Sequence, residues 1–158
     1  MIILISVNKN NLKVVMDRFA PIIQAAVKER MSSEGKNATG KTSSSIFART
    51  FERKDSIGIN VGGGYGFPFL HTGRRPGATQ PPYRVIADWM KAKGISEFAG
   101  SLNKSAYLIA RAIGKRGIRA NNISGKAVQR IINRLLNDTS EAYIKDVEQH
   151  LKKFTKNA

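Results

Sequence analysis

The chain has 158 residues, 27 Lys and Arg against 11 Asp and Glu, two His and no Cys. That length gives one compact domain and leaves no room for a two-domain enzyme. Without cysteine there are no disulfides, thiolate zinc sites or cysteine nucleophiles. A formal charge of +16 calls for an anionic partner: nucleic acid, an acidic protein or an acidic membrane surface.

In chain order, Met1-Ile2-Ile3-Leu4-Ile5-Ser6-Val7 has no basic leader and runs into Asn8-Lys9-Asn10-Asn11, so it reads as a short buried strand and not as a secretory signal. Leu12, Val15, Met16, Phe19, Ile22, Ile23, Ala26, Val27 and Met31 recur at three- and four-residue steps, an amphipathic helix that Pro21 bends or starts. Residues 32–44 are small and polar and predict a mobile loop. Period-two alternation over 45–52 and 57–61, around a Lys54-Asp55-Ser56 turn, predicts an antiparallel hairpin with Phe47 and Phe51 on its buried face. After Gly62-Gly63-Gly64-Tyr65-Gly66, residues 67–70 suggest a third extended run, confined by Pro68 to an edge.

Residues 72–81 hold two Gly, two Pro and two Arg and predict a long, exposed, mobile loop. Pro81 and Pro82 open a helix whose stripe is Val85, Ile86, Trp89 and Met90, closed by Gly94. Leu102, Ala106, Ile109, Ala110 and Ile113 make a second stripe, ended by Gly114 or Gly117. A C-terminal helical extension over about 126–155 carries two more, from Val128 to Leu136 and from Tyr143 through Ile144, Val147 and Leu151 to Phe154. Asp138 and Glu141 either form a capping box that splits them or pair on one long helix. The expected fold is a single α+β domain over 1–158, a small antiparallel β-sheet packed against an N-terminal helix and several C-terminal helices. No stretch reaches the roughly 18 uncharged apolar residues of a membrane span.

Gly35-Lys36-Asn37-Ala38-Thr39-Gly40-Lys41-Thr42 satisfies the phosphate-loop pattern letter for letter. The mechanism needs a buried strand before the loop and a helix after it; here a predicted helix precedes and a strand follows. No apolar strand ending in Asp follows to hold magnesium. His71 and His150 stand too far apart in sequence and too alone to suggest a metal site. Nothing of the G-x-S-x-G type appears, and candidate carboxylate pairs are few. The sequence therefore points to a protein with no catalytic residues, cofactor, metal or small-molecule substrate.

Between residues 74 and 130, twelve basic residues meet only two acids, Asp88 and Glu97. Such a surface neutralises phosphates with the salt dependence of counterion release. Arg74, Arg75, Lys115, Arg116 and Arg119 are the candidate contacts to a nucleic-acid backbone or an acidic partner. No helix-turn-helix, zinc finger or RNP pattern accompanies them, so base readout is not supported. A free, non-enzymatic nucleic-acid-binding protein is one reading of these residues.

A family resemblance supplies another. Thr39-Gly40-Lys41-Thr42-Ser43-Ser44-Ser45-Ile46, the hairpin, and Gly64-Tyr65-Gly66 to Leu70-His71-Thr72-Gly73 resemble the TG-x-x-x-x-S-I … Y-A … E-x-G-T core of tail-completion and neck proteins of tailed bacteriophages. Arg75-Pro76-Gly77, Pro81-Pro82, Ile86-x-x-Trp89, Lys93-Gly94-Ile95 and Ala106 to Ala120 are similar to the stretch that follows in such proteins, so the likeness covers about residues 39–120. His71 stands where an acid is common, and Asn121-Asn122-Ile123 replaces Pro-Phe-Leu. The resemblance implies a structural virion protein of the head–tail connector, neck or tail-completion ring. It further implies a homo-oligomer around the DNA channel, with portal or connector and tail proteins as partners, located in the virion and, during assembly, in the host cytoplasm. Thr39, Gly40 and Lys41 in one loop and Gly73 and Pro76 in the other are then the expected subunit contacts.

Overall fold

The computed structural model describes residues 9–156. The strand expected over 1–7 lies outside them, as does the side chain of Phe154 within the last helix. Helix α1, Asn10–Ser33, buries Leu12, Val15, Met16, Phe19, Ala20, Ile23, Val27 and Met31 along one side. Pro21 neither starts nor breaks it. The ring is exposed, so its missing N–H removes one ladder bond on the solvent side and the helix continues. One turn of helix, α2 (Lys41–Ser44), follows within the 32–44 loop.

Strands β1 (Phe47–Glu52) and β2 (Ile57–Gly62) form the expected hairpin, the only sheet among the described residues, with Ala48 opposite Val61 and Thr50 opposite Ile59. Its inner face is not the one that the sequence suggested. Ile46, Ala48, Ile57, Ile59 and Val61 join the core against α1. Phe47 and Phe51 lie on the opposite face, across Gly62 and Gly58 of the partner strand, with Arg49 and Arg53 stacked over their rings at 5.0 and 5.3 Å. A face whose β2 half is Gly58, Asn60 and Gly62 has no apolar side chains to bury, so the aliphatic face goes inward.

The expected third extended run is instead helix α3, Gly66–Thr72. Pro68 sits in its first turn, where a missing N–H costs no helical bond, and Phe67 is buried. Helices α4 (Tyr83–Ala92) and α5 (Leu102–Arg116) follow as predicted. Ser101 caps α5 by accepting from the Lys104 N–H at 3.3 Å, and Gly117 ends it. Helix α6 is Ile123–Val128, and α7 runs unbroken from Ile132 to Lys156. The break thus falls before α7, and Asp138 is no cap: it pairs with Arg18 of α1.

Helix α7 lies antiparallel on α1 and is part of the core, not an appendage. Asp146 of α7 is 1% exposed and accepts from the Asn11 N–H (3.0 Å), the Asn11 Nδ2 (2.8 Å) and the Leu12 N–H (3.1 Å). No side chain at the start of α1 caps it, so a carboxylate from α7 satisfies its orphan amides and faces the positive end of its dipole. The first expected C-terminal stripe is borne out in part, since Val128, Ile131 and Leu135 pack against the core while Leu136 is exposed. The second is turned outward: Ala142 and Asp146 face α1, while Tyr143, Ile144 and Leu151 are exposed. The result is α+β: a two-stranded antiparallel sheet against a long N-terminal helix, with further helices C-terminal to it.

Among the described residues the buried apolar side chains form two clusters. The larger joins α1, the sheet, Phe67, Ile123, Ala127 and Ala142. The smaller is confined to α4 and α5 around Ala87, Met90 and Ala106.

Candidate functional site

The chain brings together two non-helical segments that carry exposed cations. The stretch after α3 runs antiparallel to the stretch after α5. Arg74 and Ile118 exchange backbone hydrogen bonds at 2.8 and 2.9 Å, the Gly77 N–H donates to the Gly114 carbonyl at 2.8 Å, and the Asn121 and Asn122 N–H groups donate to the Leu70 and His71 carbonyls at 3.1 and 3.0 Å. The 72–81 loop is therefore clasped to the end of α5.

The clasp depends on two glycines that face one another's arms. Gly73 and Gly117 both sit at φ +74°, a conformation that other residues rarely adopt. A Cβ on Gly73 would meet the Ala120 nitrogen at 2.6 Å, and one on Gly117 would meet the Pro76 nitrogen at 2.9 Å. With no side chain at either position, the two backbones can touch.

The clasp gathers all five basic residues singled out in the sequence, but not for the same purpose. Arg74 is half-buried: its guanidinium stacks on Phe69 at 4.7 Å, donates to the Thr79 carbonyl, and leaves Nε buried without a partner among the described residues. Phe69 in turn meets Tyr65 edge-on at 5.3 Å. Arg74 thus holds the loop and does not display its charge. Arg75, Lys115, Arg116 and Arg119 are exposed, and none has an ion-pair partner among the described residues. Lys115 and Arg116 in the last turn of α5 also complement its dipole. Arg75 and Arg119 have no such structural duty.

The expected subunit-contact residues fall in two places. Gly73 is buried in the clasp and Pro76 is exposed on it. Thr39, Gly40 and Lys41 lean on α4 instead, where residues 36–42 and Val85, Asp88 and Trp89 line a groove of about 230 Å³. There Lys41 faces Asp88 at 3.7 Å, and the Lys93 ammonium donates to the Gly35 carbonyl at 2.9 Å. The Lys41–Asp88 pair is 79% and 59% exposed, so it contributes roughly 0–1 kcal/mol. The phosphate-loop pattern is preceded by α1, and its last two residues, Lys41 and Thr42, open the four-residue turn α2, so a short helix stands between the loop and the strand β1 that was expected to follow it. Among the described residues no three metal-ligating side chains converge, and no helix is long and apolar enough to cross a membrane.

Beside the clasp, a groove of about 440 Å³ separates α3 from residues 118–122. Phe69, Leu70 and Ile118 form its apolar wall, and Lys36, Arg119 and Lys126 stand on its rim. Glu34, just past the end of α1, engages two of the groove's lining residues, Asn121 and Lys126. It accepts from Arg30 Nε at 2.7 Å and Asn121 Nδ2 at 2.6 Å and lies 3.5 Å from Lys126 Nζ. The Asn121 bond is the largest influence on its carboxyl; burial opposes it, and the Arg30 bond with the Lys126 and Arg30 charges leaves the balance below the usual carboxylate value. In the sequence Lys36 falls within the phosphate-loop pattern, Asn121 stands out only as a departure from the family pattern, and Glu34 carries no signal of its own. Their meeting spans 87 residues, which no local periodicity signals.

Comparison of the chain with protein-family models, with curated proteins and with solved structures gives no match in any of the three.

Proposed function

We propose that this chain is a structural assembly subunit of a tailed phage, part of the head–tail connector, neck or tail-completion ring around the DNA channel. The reading rests first on the ordered motifs over about 39–120 that resemble such proteins. One structural observation supports it further. The Arg74–Ile118 clasp brings the backbone segments of Arg75, Lys115, Arg116 and Arg119 together, and all four side chains are exposed with no ion-pair partner among the described residues. In a ring, such a surface faces encapsidated nucleic acid, while a different patch on each subunit meets the next.

The function needs no covalent chemistry from the chain. Its parts would be the two glycine-bearing loops as subunit and lumen contacts, a portal or connector and tail proteins as neighbours, and the cations as a charge-balancing lining. The same surface would also serve a free nucleic-acid-binding protein, and particle composition separates the two. Mass spectrometry of purified particles of the encoding phage should find this chain at a fixed, low copy number. Its absence from particles would reject the assembly role. Replacing Lys115, Arg116 and Arg119 together with Ala should leave incorporation intact and weaken DNA binding.

A further inference from the structure

The groove between α3 and residues 118–122 carries more than the clasp alone. Lys36 comes from the turn after α1, Arg119 from the clasp and Lys126 from α6, so three separate elements place cations on one rim. Lys126 is already engaged, bonded to Asn121 Oδ1 at 2.6 Å and set 3.5 Å from Glu34. Lys36 and Arg119 are exposed, with no side-chain hydrogen bond or ion pair among the described residues. The adjoining clasp carries three further exposed cations, Arg75, Lys115 and Arg116.

The lining favours a nucleic-acid backbone over an acidic protein. Glu34 already neutralises Lys126 at the Asn121 end, which leaves Lys36 and Arg119 as the rim cations open to an incoming polyanion. A cationic rim over an apolar wall matches a polymer whose phosphates alternate with the hydrocarbon faces of its sugars. Arginine adds a planar donor fork suited to phosphate oxygens.

We propose that this groove and the adjoining clasp form a sequence-independent seat for one nucleic-acid backbone, with Lys36 and Arg119 on phosphates and Phe69, Leu70 and Ile118 facing the sugars. The inference rests on the reading above in taking nucleic acid as the polyanion. It adds Lys36, which the sequence pattern had assigned elsewhere, and it gives the contact a path.

The test is fluorescence anisotropy of a labelled mixed-sequence duplex of about 30 base pairs with the whole chain across a salt series. Each phosphate contact contributes about 0.9 to the slope of log K against log salt, so K36Q/R119Q should make that slope shallower by about 2. The exposed control pair K13Q/K152Q should leave it unchanged, as should scrambling the duplex sequence. Restoring charge with Arg119→Lys on the K36Q background should recover about half of the loss, which a folding defect would not allow. An unchanged slope in K36Q/R119Q overturns the seat. So does polyglutamate that displaces the duplex as well as unlabelled DNA does at equal charge, since the site would then belong to an acidic protein. Particle mass spectrometry keeps the two proposals apart. A chain present in virions with an unaltered slope fails the groove alone, and a chain absent from virions with the shallower slope fails the neck role alone.

Discussion

Asp146 is a charged side chain with almost no solvent, and three donors at the start of α1 explain why it is tolerated there. Asp146→Ala removes an acceptor and leaves amides buried. Chemical denaturation should show a loss of about 2–3 kcal/mol; a loss below about 0.5 kcal/mol would mean that water replaces the carboxylate. Glu34 makes a pH-dependent contribution. Because its carboxyl is held below the ordinary value of 4.5, its stabilisation is present above about pH 4.5 and disappears as pH falls through the lowered value. Thermal melts of Glu34→Gln should therefore fall less steeply below pH 4.5 than those of the parent chain, and parallel acid limbs would remove Glu34 from that account. Neither residue stood out in the sequence. An acid in the last helix looks like a surface partner until its contact 134 residues upstream is known.

Among the elements, α1, α4 and α5 were legible because their apolar spacing is regular and, for the last two, agrees with their punctuation: Pro82 before α4, Gly94 after it and Gly117 after α5. Where the structure departs from expectation, two local readings were both open. Pro68 suits an edge strand or a first helical turn, and the burial of Phe67 decides for the turn. The hairpin offers aromatic residues on one face and aliphatic ones on the other, and Gly58 and Gly62 beneath the Phe rings were the available sign of which face is thin. In α7, the most apolar stripe yields to the one bearing Ala142 and Asp146, because capping α1 is a tertiary demand. The clasp was visible only as two breaker-rich segments. Its geometry makes Gly117→Ala severe, through a positive φ and a collision with the facing arm. That substitution should cost about 2–4 kcal/mol by denaturation and weaken duplex binding by separating Arg75 from Lys115. A variant that keeps both stability and affinity would show that the two arms are not interdependent.

For the molecule as a whole, charge governs behaviour outside the core. With +16 on the chain and only four ion pairs among the described residues, self-repulsion is left largely uncompensated. Screening acts over about 10 Å at 0.1 M salt. The melting temperature should therefore rise as salt increases from about 20 mM toward physiological strength, with duplex DNA raising it further by mass action. A midpoint indifferent to salt would mean that the basic residues are spaced widely enough not to sense one another. The overall fold class followed from element order and patterning. The position of the basic surface did not, because it arises where segments 44 residues apart are laid side by side.

The carboxylate that caps α1 also governs when that helix can settle during synthesis. At roughly 5–20 residues per second, the ribosome needs on the order of ten seconds to travel from Leu12 to Asp146. Throughout that interval the first amides of α1 lack their acceptor, even though the hairpin and α6 emerge earlier and already pack on the helix's apolar flank. A transcript cut short before codon 146 would yield a product that never acquires its lock.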